Sequence, residues 1–211
     1  SNTTDSLAGI ANKGFLEGMA IEEGVAYDFS VYAKGLDGYA GGITVRLVAG
    51  EQVACEETIE GVTDQWAQYT TTLTPTITAT TDVYLQVLVG NGSVALDMVS
   101  LFPPTYKNHG MRIDLATKLE ELEPAFLRFP GGCIIEGYDW ETAYNWKDSI
   151  GVGKDGLPLE FNGKYGDIAT RNYGINIWTD VLATDDPLPC FMSYGLGFFE
   201  YFQLAEDIGA I

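Results

Sequence analysis

The hydrophobic period of this chain changes once, at Phe102-Pro103-Pro104-Thr105, and that change limits the folds open to it. Ahead of the prolines, apolar residues recur at every second position. Tyr27, Phe29, Val31 and Ala33 form one such set, and Ile43, Val45 and Leu47 the next. Val83, Leu85, Val87 and Val89, then Val94, Leu96 and Met98, continue the pattern. Period two puts each set on one face of a half-buried strand. Asn91-Gly92, between the last two sets, is the strongest short hairpin signal, because both residues tolerate positive φ. Thr70 to Thr81 is rich in threonine and carries one proline, which suits strand and edge rather than helix. Short strands with regularly spaced turn signals predict a jelly-roll β-sandwich over residues 1–105.

Beyond the prolines the period becomes helical. Met111, Leu115, Leu119 and Leu122 share a stripe, with Asp114 early and Pro124 as the stop. Phe126 to Phe129 then reads as a buried strand of a parallel sheet, closed by Pro130-Gly131-Gly132. Helix followed by strand is half of a βα repeat. In α/β proteins ligands are held at the carboxyl ends of parallel strands, which is where Arg128 would be aimed, with Glu136, Asp139 and Trp140 just beyond. The plainer reading is a strand, a glycine turn and a surface arginine. Residues 137–194 show no clear period, and a stretch of that length is usually functional or an insertion. Phe198, Tyr201, Ala205 and Ile208 predict a second amphipathic helix with Gly209 past its end, and Ala210-Ile211 would start another strand.

With 211 residues, one or two domains are expected. Net charge is −19, shared between the halves: 3 basic against 13 acidic side chains over 1–105, and 8 against 17 over 106–211. Such a field repels nucleic acid and anionic lipid and is compatible with neutral ligands such as sugars. No run of about eighteen apolar residues exists, so no membrane span is expected. Cys55, Cys133 and Cys190 are far apart, and the single histidine is His109, so no zinc site and no disulfide framework is expected. No signal peptide stands at Ser1, and residues 1–5 read as loop. Asn2-Thr3-Thr4 and Asn91-Gly92-Ser93 match the short N-glycosylation pattern. Asp28 and Asp97 face away from the apolar sides of their strands, as a structural calcium site or an ordinary solvated face would have them. Tyr39, Trp66, Tyr69 and Tyr84 are candidates either for stacking on sugar rings or for packing.

Several blocks together resemble the glycoside hydrolase family 51 α-L-arabinofuranosidases. They are Arg128-Phe129-Pro130-Gly131-Gly132-Cys133 with Glu136-Gly137, and Trp146-Lys147-Asp148-Ser149-Ile150-Gly151. Leu101-Phe102-Pro103 before Gly110-Met111-Arg112-Ile113-Asp114-Leu115 fits the same pattern. So does Gly195-Leu196-Gly197-Phe198-Phe199-Glu200-Tyr201 before Leu204 to Ala210. The first half is similar to the carbohydrate-binding-module-like sandwich of the longer members.

The resemblance implies a multi-domain β plus α/β fold: the sandwich at 1–105, then at 106–211 the opening part of a (β/α)8 TIM barrel. It implies a secreted, periplasmic or cell-surface glycosidase with no cofactor and no metal. Such an enzyme removes terminal arabinofuranose from plant cell-wall polysaccharide or arabino-oligosaccharide with retention, using two glutamates. Retention needs carboxyls roughly 5 Å apart, one as nucleophile and one as acid/base. The family's acid/base follows an asparagine at the end of a later strand. No Asn-Glu dipeptide occurs here, and a whole barrel takes about 250 residues. Both catalytic glutamates are therefore expected beyond Ile211.

Carried over residue by residue, Gly131, Gly132 and Cys133 look like the floor of the sugar subsite, where shorter members have an asparagine at the cysteine position. Trp140 and Trp146 are candidates for stacking on sugar, or for packing. Arg128 and Glu136 look like supporting charges around the mouth, and neither Glu136 nor Glu200 matches a catalytic position. Residues 153–193 depart from the family, which bears on substrate preference. The alternative is a non-catalytic carbohydrate-binding protein acting through the sandwich.

Overall fold

In the computed structural model the chain divides into two compact units, Ser1–Thr105 and Tyr106–Ile211. The structure describes residues 1–137, 139–140, 143–150, 160–161, 164–165, 171, 174–175, 191–192 and 194–211. Of residue 134 and of the four pairs between 160 and 192, it describes the backbone only. Tyr138, Trp178, Cys190 and most of residues 153–193 lie outside this set.

The first unit is built from eight strands: β1 (Ala8–Asn12), β2 (Met19–Ile21), β3 (Tyr27–Leu36), β4 (Ile43–Ala49), β5 (Gln52–Ile59), β6 (Ala67–Leu73), β7 (Ala79–Val89) and β8 (Ser93–Phe102). One antiparallel sheet runs β1-β7-β4-β5, with β2 also on β7, and the other runs β6-β3-β8. Their inner faces make one core. Phe29, Val31 and Ala33 from β3 meet Ile43, Val45 and Leu47 from β4, with Val83, Leu85, Val87 and Val89 from β7. These are the alternating sets of the sequence, buried because a period of two sends every second side chain between the sheets. The threonine-rich β6 lies at a sheet edge.

Two local expectations fail, each for a backbone reason. Met98 does not join the core face. Tyr32 pairs with Asp97 and Ser30 with Ser100, so two residues of β8 oppose the single Val31. That bulge, with Met98 at φ 49°, reverses the alternation, and Leu101 takes the inward place alongside Val94 and Leu96. Asn91-Gly92 is not a hairpin either, since β7 and β8 belong to different sheets. The N-terminal segment bridges to this turn instead: Asn2 N–H donates to the Gly92 carbonyl and Gly92 N–H to the Asn2 carbonyl, both at 2.7 Å. Gly92 sits at φ 138° with the Tyr39 ring where a Cβ would stand. The Asn2 amide is buried and donates to the Ser6 and Val89 carbonyls.

The second unit contains α1 (Ile113–Glu121), the single-turn α2 (Cys133–Glu136), a 3-10 turn at Asp148–Ile150 and α3 (Phe198–Asp207). Between the turn and α3 lie four two-residue strands, β9 (Glu160–Phe161), β10 (Lys164–Tyr165), β11 (Gly174–Ile175) and β12 (Phe191–Met192). These pair β9 with β10 and β11 with β12. Helix α1 falls where its period predicts, but its stripe is not buried: Leu115, Leu119 and Leu122 are exposed and Ala116 is the buried residue. Residues 126–129 form no strand of a sheet and are only partly covered, with Phe126 and Arg128 exposed. Among the described residues their backbone has one strand-like neighbour. Ile211 N–H donates to the Ala125 carbonyl at 3.2 Å and Leu127 N–H to the Ile211 carbonyl at 2.9 Å, the slanted pattern of parallel pairing.

Helix α3 behaves as its sequence implies. Gly209 at φ 73° follows its end, with Ala210 N–H bonded to the Ala205 carbonyl and Gly209 N–H to that of Glu206. Asp207 is buried at the helix's negative end, an unfavourable place for a carboxylate. His109 Nδ1 lies 2.8 Å from its Oδ2, and Lys107 Nζ bonds its main-chain oxygen. Among the described residues no helix is long and apolar enough to cross a membrane.

Leu47 is completely buried between the sheets, so Leu47→Ala should destabilise the sandwich by about 2–5 kcal/mol. Urea denaturation should show a lower midpoint with an unchanged slope.

Candidate functional site

The residues singled out for sugar binding lie in the second unit. Phe129 ends the extended segment, and a cis peptide bond joins it to Pro130. Its ring is stacked on Tyr201 of α3, with centroids 3.6 Å apart and planes 19° from parallel. Phe198 and Tyr144 meet it edge-on at 5.4 and 6.2 Å. This aromatic cluster fixes the point from which the glycine turn departs.

Gly131, Gly132 and Cys133 are all exposed. Gly132 takes φ 74°, a conformation that favours glycine, and leads into α2. Among the described residues, and leaving aside their chain neighbours, no heavy atom lies within 4 Å of where a Cβ at Gly131 or Gly132 would project. The space above both glycines is therefore open, as close approach of a ligand to backbone requires. Glu136 is exposed at the end of α2, and the Gly137 N–H bonds the Cys133 carbonyl at 3.1 Å. Arg128 is exposed beside the cluster. Trp140 is almost wholly exposed, at 93%.

Trp146 is held more firmly. It is half exposed, and its ring lies 5.8 Å from that of Phe198. Its carbonyl accepts the Ser149 hydroxyl at 2.7 Å, and the same Oγ accepts the Phe198 N–H at 3.2 Å. Gly197 has to be a glycine: a Cβ there would fall onto the Ser149 carbonyl. Burial pushes the Tyr144 and Tyr194 hydroxyls above their ordinary pKa.

The sequence reading missed the pair that closes this arrangement. Glu200 is not free: its carboxylate receives both terminal nitrogens of Arg171, at 2.5 and 3.1 Å, and the Gly197 N–H at 2.8 Å. The glycine-to-glutamate spacing of a helix start was readable in sequence. The arginine, 29 residues away in an unperiodic stretch, was not.

In the first unit, Tyr39 donates to the Gly42 carbonyl, Tyr84 to that of Gly50, and Tyr69 accepts the Thr63 N–H. Those three tyrosines anchor loops. Trp66 is half exposed. The outer face of the β6-β3-β8 sheet carries an open groove of about 320 Å³ lined by Asp28, Ser30, Thr70, Thr72, Ser100 and Phe102. Asp97 accepts the Met98 N–H, and Asp28 the Thr72 hydroxyl. Among the described residues no three metal-ligating side chains gather.

Glu200→Ala would take the carboxylate away from the buried Arg171 guanidinium and should cost about 3–5 kcal/mol. Glu206→Ala, exposed near the other end of α3, should stay within about 0.5 kcal/mol. Chemical denaturation of the two variants makes the comparison.

Residues 118–211 match the family described as the α-L-arabinofuranosidase 1 domain. An extracellular exo-α-L-arabinofuranosidase of Streptomyces chartreusis is 35% identical over 96% of this chain and 23% of its own length. The α-L-arabinofuranosidase 1 of Arabidopsis thaliana is 32% identical over 96% of this chain and 27% of its own. Among solved structures, an arabinose-bound family 51 α-L-arabinofuranosidase superposes with a TM-score of 0.75 at 27% identity, over 98% of this chain and 31% of that one. The chain thus spans about a quarter of the length of these curated relatives. The matches reach from the sandwich through the glycine turn to the end of α3, so the chain is similar to family 51 α-L-arabinofuranosidases along nearly its whole length.

Proposed function

We propose that this chain is part of a retaining α-L-arabinofuranosidase that releases terminal arabinofuranose from arabinoxylan- or arabinan-type hemicellulose outside the cell. The observation that carries this reading is the α-L-arabinofuranosidase match over 118–211, a stretch that contains the open glycine turn. Residues 1–105 would be the sandwich domain and 106–211 the start of a TIM barrel. The parallel pairing of Ile211 with Ala125–Leu127, after helix α3, supports that assignment.

Within such a site, Gly131, Gly132 and Cys133 form the floor on which the sugar rests. Backbone without a Cβ lets a hydroxyl-rich ring approach closely. Trp146 and Trp140 offer aromatic faces to the C–H side of the sugar. Arg128 and Glu136 supply charge at the mouth. The nucleophile and the acid/base are two glutamates outside residues 1–211. A neutral substrate suits a chain of net charge −19, which would repel an acidic one.

Hydrolysis of a chromogenic α-L-arabinofuranoside tests this reading, assayed with this chain and with a longer polypeptide that continues its reading frame. Activity in the longer form alone is expected. Activity in residues 1–211 would overturn the location given to the glutamates, and activity in neither would overturn the enzymatic reading.

A second reading rests on the sandwich, where half-exposed Trp66 and the hydroxyl-lined groove offer surfaces for a glycan chain. It predicts that residues 1–105 are retarded on an arabinoxylan affinity gel and that Trp66→Ala loses the retardation. Unhindered migration of the unsubstituted sandwich would dismiss it.

A further inference from the structure

Arginine is rarely found fully buried, and when it is, its guanidinium is paired. The Arg171 side chain is 1% exposed. Nη2 donates to Glu200 Oε1 at 2.5 Å, and Nη1 donates to Glu200 Oε2 at 3.1 Å and to the Tyr194 carbonyl at 2.5 Å. A planar fork can serve the carboxylate and the carbonyl together, whereas an ammonium on a flexible stem cannot reproduce that geometry.

The pair does more than neutralise charge. Glu200 Oε2 also accepts the Gly197 N–H, so Arg171 orients the carboxylate that satisfies the first turn of α3. The next donor of that turn, Phe198 N–H, goes to Ser149 Oγ, and the Ser149 hydroxyl goes on to the Trp146 carbonyl. The Phe198 ring meets the Trp146 ring from the other side. An unbroken set of contacts thus runs from Arg171 through Glu200 and the helix start to Trp146. Gly197, with no room for a side chain, keeps the helix start against Ser149.

We propose that Arg171 is a positioning residue, which through Glu200 and the first turn of α3 sets the orientation of Trp146 and hence the wall of the sugar site. The geometric part concerns this chain alone, and the part about the sugar rests on the function proposed above.

The experiment is fluorine NMR of the chain labelled with fluorotryptophan, the Trp146 signal being assigned by its loss in Trp146→Phe. In Arg171→Lys the Trp146 resonance should shift or split, while that of Trp66, in the sandwich, should not. Glu200→Gln keeps the volume and an acceptor for Gly197 and should perturb the same signal, which covers the case in which Arg171→Lys does not fold. An unmoved Trp146 resonance in either folded variant overturns the proposal.

In the longer, active polypeptide, Arg171→Lys should raise KM about tenfold and leave kcat within about twofold, because Trp146 would contact the sugar equally in ground and transition states. Combined with Trp146→Ala it should add no further loss, and additive losses would also overturn the proposal. If the unsubstituted longer polypeptide is inactive, the proposed function fails, and the NMR result still decides the positioning.

Discussion

Two backbone hydrogen bonds made by Ile211 give the second unit a stretch of parallel pairing among its described residues. They join the chain after α3 to the extended segment ahead of Pro130, in the parallel sense and across about 85 residues of intervening sequence. Parallel neighbours need a crossover, and α3 supplies it. Phe129 and Tyr201 stack face to face and Phe198 meets the same ring, so one aromatic cluster serves both helix and segment. The glycine turn departs from that cluster, which gives Gly131 and Gly132 a fixed base and open space above.

The same economy appears at the two ends of α3. Its first donors go to Glu200 and Ser149 and its last acceptors to Gly209 and Ala210, so few backbone groups are left for water. Arg171 holds the first end, and His109 with Lys107 holds the second. Helix α1 is treated differently. Its leucine stripe faces outward, with Leu115, Leu119 and Leu122 exposed.

Charge and packing bear on function separately. The excess of acids sets a negative field around the chain without saying what binds or where. The aromatic and glycine geometry gives an exposed turn on a fixed base without saying what rests there. In the sandwich, the tyrosines that looked available are tied to loop backbone, and Trp66 and Phe102 keep their rings half exposed.

Most of the sandwich was legible in the sequence, because alternation is a local property: Phe29, Val45 and Leu85 are inside simply by parity. Parity was lost at Met98, where one extra residue in β8 reverses the faces, and nothing in a single strand's sequence announces a bulge in its pairing. Asn91-Gly92 was read correctly as a turn and wrongly as a hairpin, since turn chemistry does not say which sheet the next strand joins. The glycine turn and Gly209 were readable as well, each through local backbone needs. What only the tertiary structure decided is which distant groups meet: Asn2 with Gly92, His109 with Asp207, Arg171 with Glu200. Such pairs are separated by tens of residues and carry no periodic signal. Their geometry exists only once the core has brought their elements together.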